Sequence, residues 1–229
     1  MTADNFSFER LDRDGALAEA AHDVGGVSRA GFFAAGLAGA AVLLGTVDAE
    51  EARAQKPGKN DLAILNFALT LEYLQAAFYT EAERLKELRG RTRRAAEVVG
   101  SVERAHVKAF KELLGRQAVK RPNFDFQGVT EKPDAFLKTA VAFEDLAVAA
   151  YKGQATRLKS RAALASAVAI HSVEARHAAW MRYLFGVDPA REAFDQPSTK
   201  REVTKVVKST NFIATATKTK RKRAPRFTG

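Results

Sequence analysis

Cysteine is absent from this 229-residue chain. That excludes a disulfide framework, a zinc finger, a thiolate cluster and a thiol nucleophile. The absence suits the cytosol and equally an exported protein, so it leaves the compartment open. Proline is scarce, at 6 residues, and Gly is sparse between residues 60 and 118. Long helices are expected where such breakers are missing. Histidine numbers only 4, yet two of these stand in almost identical phrases, SVERAH at 101–106 and SVEARH at 172–177. Acid is nearly missing from the end of the chain: Glu202 faces ten Lys and Arg between Lys200 and Gly229.

What is present is unevenly spread. The net charge is +10, but residues 1–54 hold nine acids against four Arg. Within them, AGFFAAGLAGAAVLLGTV (30–47) runs eighteen residues without a charge, followed by Ala52-Arg53-Ala54 ahead of Gln55. An apolar run followed by a small-x-small site reads as an export signal or a membrane anchor, with a buried core helix as the alternative. SRAGFF (28–33) resembles a twin-arginine signal, with Ala30 in place of the second Arg. The expected location is outside the cytoplasm or anchored in a membrane, and cytoplasmic if the leader is not a functional signal. Residues 213–229, ATATKTKRKRAPRFTG from Ala214 on, show no apolar period and read as a basic disordered tail.

Between these ends, residues 55–212 read as one helical domain. Residues 61–89 follow helical spacing, with Asp61 expected as N-cap and Gly90 as the stop. A second helix is expected over 92–118, ending near Gly115. A third opens at Pro133 and runs to about Leu158, weakened near its end by Gly153. A fourth spans Arg161 to Phe185 before Gly186, and a short basic fifth follows Pro197-Ser198. The links near Gly90 and Lys159 are short, so they join antiparallel neighbours. The fourteen residues 119–132 reach about 45 Å when extended, whereas a helix of this size is about 40 Å long. The expected fold is all-α: a four-helix bundle of two helix hairpins joined by one long crossover, plus a short C-terminal helix.

The halves align on each other. ALTLEYLQAAFY (68–79) lies over AVAFEDLAVAAY (140–151), and the twin Glu-x-x-His phrases match at nearly the same offset, close to 72. In each half the first helix puts a Glu, Glu72 or Glu144, on an apolar face. The second adds a Glu and a His at i and i+3, which share a helix face: Glu103 with His106, and Glu174 with His177. Burying bare carboxylates costs several kcal/mol each or more. Four carboxylates and two neutral imidazoles carry −4, which two divalent cations cancel, and so oxygen-rich a set favours iron or manganese over zinc. The competing reading is a site without metal, its carboxylates protonated or paired with Arg104 or Arg176. Around this set, Tyr79, Tyr151, His171 and Gln75 are candidates for contact with the ligands. For both tyrosines and for His171 a plain structural role is the alternative, and Trp180 reads as core.

One Glu from each of two helices and a Glu-x-x-His from each of the others is the ligand set of ferritin-like di-iron and di-manganese proteins. DLAILNFALTLEYLQAAFY, and AFDQPSTKREVTKVVK after the fourth helix, further resemble the desiccation-related ferritin-like branch, many of whose bacterial members carry a signal-like leader. The resemblance covers roughly residues 60–210 and implies a ferritin-like bundle with a di-metal site. A pair of redox ions can bind oxygen or peroxide and share a two-electron step. The expected function is Fe(II) oxidation or peroxide removal in stress protection, as a ferroxidase-like or manganese-catalase-like oxidoreductase, with homo-oligomerisation open. The alternative is a non-catalytic structural or desiccation-protective bundle whose basic tail binds an anionic envelope polymer or membrane, or less readily nucleic acid.

Overall fold

The computed structural model describes residues 57–190 and 192–214. The leader at 1–54 lies outside them, as does the basic tail from residue 215 onward. The described residues form five α-helices: α1 (Lys59–Leu85), α2 (Gly90–Leu114), α3 (Pro133–Ala155), α4 (Arg161–Phe185) and α5 (Lys200–Ser209). The hairpins α1–α2 and α3–α4 are the most intimate pairs, and they meet with α1 against α3 and α2 against α4. This is the expected bundle.

Sequence pattern explains the helices' different exposure. α2 buries one stripe, Ala95, Ala96, Val99, Gly100, Glu103, His106, Phe110 and Leu114, at the three-and-four spacing of an amphipathic helix. α1 instead buries every residue from Leu71 to Tyr79. The crossover accounts for the difference, because it runs along α1. Asn66 accepts from the Val119 amide at 2.7 Å and donates to the Gln117 carbonyl at 3.0 Å. Farther on, the Thr130 hydroxyl donates to Glu81 at 2.8 Å. Asn66 and Glu81 lie about 22 Å apart along a helix rising 1.5 Å per residue.

The crossover ends in an aromatic cluster that seals one side of the bundle. Phe78 stacks on Phe136 at 5.0 Å and meets Phe126 and Phe143 edge-on at 5.5 and 5.2 Å. Phe212, beyond α5, adds its edge to Phe126 and Phe143. Each such pair contributes about 0.5–1.5 kcal/mol beyond its buried area. An isolated antiparallel bridge, Phe124 with Ile213, ties the crossover to the C-terminal segment.

Several boundaries differ from the sequence reading. α1 stops at Leu85, where Lys86 turns left-handed at φ 60°, and Gly90 opens α2 instead of closing α1. α2 ends at Leu114 and tightens into a 3-10 turn at Gly115–Gln117; α3 ends at Ala155. Asp61 does not cap its own helix, whose N-cap is Gly58. Its buried carboxylate reaches across the bundle and accepts from the Lys159 and Ser160 amides at 3.0 and 2.8 Å. It thus fixes the α3–α4 turn to the start of α1 through charge-assisted bonds, which are stronger than neutral ones.

Gly153 also has a different part from that of a weak helix end. The chain before α5 lies across α3, with the Ser198 amide donating to the Ala149 carbonyl at 2.9 Å. A Cβ on Gly153 would overlap the Ser198 carbonyl. Gly153→Ala is therefore expected to lower stability by about 1–3 kcal/mol and to loosen the segment leading to α5. Urea denaturation with hydrogen exchange across 196–209 checks this. An unchanged midpoint with full protection would show that no close approach exists there.

Candidate metal centre

The local reasons for the site lie in the register of the two hairpins. Glu72 and Glu144 project from the middle of α1 and α3, and the two Glu-x-x-His pairs from α2 and α4. All four carboxylates are fully buried, and His106 and His177 nearly so. α2 can approach α1 closely one turn before Glu103 because residue 100 is Gly. A Cβ there would come 2.8 Å from that of Tyr79.

The structure brings all six predicted residues together, in two overlapping groups. Glu72, Glu103, His106 and Glu174 form one; Glu103, Glu144, Glu174 and His177 form the other. Within each group the ligand atoms lie within 4.8 Å of one another. Each hairpin thus supplies three residues to its own group and lends one carboxylate, Glu103 or Glu174, to its neighbour's. The imidazoles face each other with ring centres 6.5 Å apart.

The donor atoms crowd together. His177 Nδ1 lies 2.9 Å from Glu103 Oε1, and His106 Nδ1 lies 3.2 Å from both Glu72 Oε2 and Glu174 Oε1. Yet His177 Nδ1, both Glu103 oxygens, Glu144 Oε2 and Glu174 Oε1 have no properly directed hydrogen-bond partner. Buried polar atoms are seldom left so, and a cluster of them calls for an ion or water. Three carboxylates and one imidazole around each centre fit a divalent cation, so the residues present suit the group the spacing implies.

The surrounding residues hold the carboxylates in place by exchange between halves. The Tyr79 hydroxyl, from α1, donates to Glu144 on α3 at 2.5 Å. Tyr151, from α3, returns a short hydrogen bond to Glu72 on α1. Both phenols stay neutral donors, because burial and the nearby carboxylates push their ionisation well above 10. Gln75 donates a long bond, 3.5 Å, to Glu174. The matching position in the other half is Ala147, so Glu103 has no such amide.

Three residues fall outside. His171 is half-buried, and its charged neighbours are Asp195 and Lys152, not the cluster. Arg104 pairs with Glu83 at 2.8 Å and Arg176 is exposed, so neither arginine neutralises the carboxylates. Sequence reasoning missed the cross-bundle bonds of Asp61, which its early position disguised as a cap.

Without cations the cluster must hold protons. Burial pushes Glu72 up to about 7 and raises Glu144. Burial and the charge of Glu103 drive Glu174 well above the ordinary value. Burial also pushes on Glu103, but the close His106 and His177 imidazoles outweigh it and hold that carboxyl at about 2. Burial disfavours both imidazolium ions, yet the carboxylates prevail, raising His106 well above 6.5 and His177 to about 10. Protonated imidazoles thus stand in for cations.

The fold and this centre define a helical bundle with a buried carboxylate and histidine cluster that could hold metal ions. The family model of the ferritin-like domain matches residues 60–187, and the chain belongs to that family. No curated protein sequence matches the chain.

The proton load fixes a sign. Glu72, raised from 4.5 to about 7, contributes stability that is complete below the lower value and lost as pH rises through the upper. His177, raised from 6.5 to about 10, acts in the same direction, its share being lost over that higher window. Within the cluster only Glu103 opposes, its share being lost as pH falls toward about 2; outside it the half-buried His171, lowered from 6.5 by burial, also opposes. The metal-free protein should therefore melt at lower temperature as pH rises from about 5 to about 8, and added Mn(II) should reverse the trend by displacing protons. Thermal melts at three pH values test this. A metal-free melting temperature that climbs steadily over that range contradicts it.

Proposed function

We propose that this ferritin-like protein holds two divalent ions, iron or manganese, and handles iron or peroxide, by Fe(II) oxidation or peroxide removal, in stress protection. The observation that carries the reading is the sharing of Glu103 and Glu174 between two four-residue groups. A lone Glu-x-x-His is a common solvated pair; two fully buried ones, interlocked and short of hydrogen bonds, are not. Six oxygen-rich ligands with a summed charge of −4 match two divalent ions of the iron and manganese type. Such an ion pair supplies a two-electron redox couple.

The chain's own residues do the rest. Glu103 and Glu174, common to both groups, would hold both ions. Tyr151 and Tyr79 orient Glu72 and Glu144, each leaving one carboxylate oxygen turned to the centre. The stacked rings of Phe78 and Phe136, with Phe143, keep water from the Tyr79 side. The resemblance of α1 to the desiccation-related branch supports the protective role.

Because Glu103 and Glu174 belong to both groups, the variants separate cleanly. Protein purified from iron- and manganese-supplemented cells should contain about two metals per chain. Glu103→Gln should lose both and Glu72→Gln only one, with elemental analysis as the measurement. Fe(II)-oxidation and peroxide-consumption assays on the same samples then choose the reaction. Full-length protein that folds and carries no iron or manganese would sink the proposal.

A second reading, a non-catalytic bundle that binds anionic polymers or envelope surfaces, is favoured by one feature. Arg157, Lys200, Arg201, Lys205 and Lys208 line an open groove on α5, just ahead of the basic tail. Phosphate-type partners would be held there with steep salt dependence. Reversing Lys205 and Lys208 to Glu should weaken binding to DNA or anionic vesicles at least tenfold at low salt. Unchanged binding removes this reading.

A further inference from the structure

The two halves of the duplicated centre are not equally closed. In the α1 half, Tyr79 is backed by Phe78, Phe136 and Phe143, all buried and in ring contact. Shifting by the 72-residue offset, which maps Tyr79 onto Tyr151, maps those rings onto Ala150, Ile64 and Leu71. These three smaller side chains, together with Tyr151, line a cavity of about 20 Å³. A water-sized guest needs about 10–15 Å³ on that measure. The cavity is a direct consequence of replacing rings by aliphatic side chains at matched positions.

The cavity wall is almost wholly apolar, and Tyr151, Ser166 and Gln154 are the polar residues that line it. Gln154 lines it and is 5% exposed, and its Nε2 has no hydrogen-bond partner. The matched residue in the closed half is Ala82. A buried donor left unpaired is costly, so a polar amide here is explained only if something accepts from it. The inner wall is Tyr151, whose hydroxyl bonds Glu72 of the metal centre. At the other end stand Phe67, Ala155 and Leu158, which are only partly buried and so open toward solvent.

We infer that this cavity is the entry and binding pocket for a small uncharged oxygen-bearing molecule, with the Gln154 amide as its recognition donor. The molecule would approach the Glu72–His106 half of the centre, while the Phe78 side stays shut. The inference rests on the proposed metal-centred function for its purpose, and hydrogen peroxide is the oxidant of matching size and polarity. Dioxygen would fill the same apolar space without needing the amide. The two ion positions are therefore unequal, despite ligands related by duplication.

Two variants test this. Ala150→Phe restores the ring that the closed half carries; Gln154→Leu keeps the volume and removes the donor. A crystal structure of the wild-type protein, with or without metal, should show an ordered oxygen atom within hydrogen-bond distance of Gln154 Nε2, and Ala150→Phe should expel it. In metal-loaded protein with unchanged metal content, Gln154→Leu should raise the KM for hydrogen peroxide at least fivefold with kcat little altered. Ala150→Phe should slow peroxide consumption at least tenfold at low peroxide. If Gln154→Leu instead leaves the peroxide KM alone, or the wild-type cavity proves empty, the inference is wrong. The crystallographic arm needs no metal, so a chain that binds none would defeat the proposed function without deciding the fate of the pocket.

Discussion

Four carboxylates buried in the middle of a helical bundle are the constraint on which the rest of the structure depends. Each carries a desolvation cost that apolar packing cannot offset. The bundle answers with a closed arrangement in which each hairpin lends a carboxylate to the other, and each tyrosine steadies a carboxylate across the interface. The cluster is thus also the polar seam that fixes the register of one hairpin against the other. A slip of one turn would leave every one of these groups facing hydrocarbon.

The remaining features protect that seam. The crossover runs along α1 between Asn66 and Glu81, where the helix is buried all round at its centre. Phe124, Phe126 and Phe212 then pack beside Phe78 and Phe136, so segments far apart in sequence close the same side. Asp61 pins the opposite turn. α5 is docked by Val203 and Val207 beneath a capping box of Thr199 and Glu202.

Much of this was legible in the sequence, for identifiable reasons. Helical period, the rarity of breakers and the fourteen-residue interval before Pro133 were enough for two hairpins and a crossover. The duplication was enough to single out the six clustered residues, because Glu72, Glu103 and His106 recur at nearly the same offset as Glu144, Glu174 and His177. What could not be read was contact between distant segments. Nothing local to Asp61 distinguishes a cap from a cross-bundle acceptor, and nothing local to Gly153 announces that Ser198 passes over it. The exchange of tyrosines between halves depends on how the hairpins face, which no offset reveals. The unequal closure was in plain view as Phe78 against Ala150, but acquires meaning only once both are seen beside the centre.

Ligand identity and ion spacing are the core of this account, and anomalous diffraction reads both. Crystals of protein grown with iron or manganese, measured on either side of the metal absorption edge, should show two peaks. One should sit among Glu72, Glu103, His106 and Glu174, the other among Glu103, Glu144, Glu174 and His177. Glu103 and Glu174 should touch both. A map without peaks, in which His106 and His177 instead sit in direct ion pairs with the carboxylates, would contradict it.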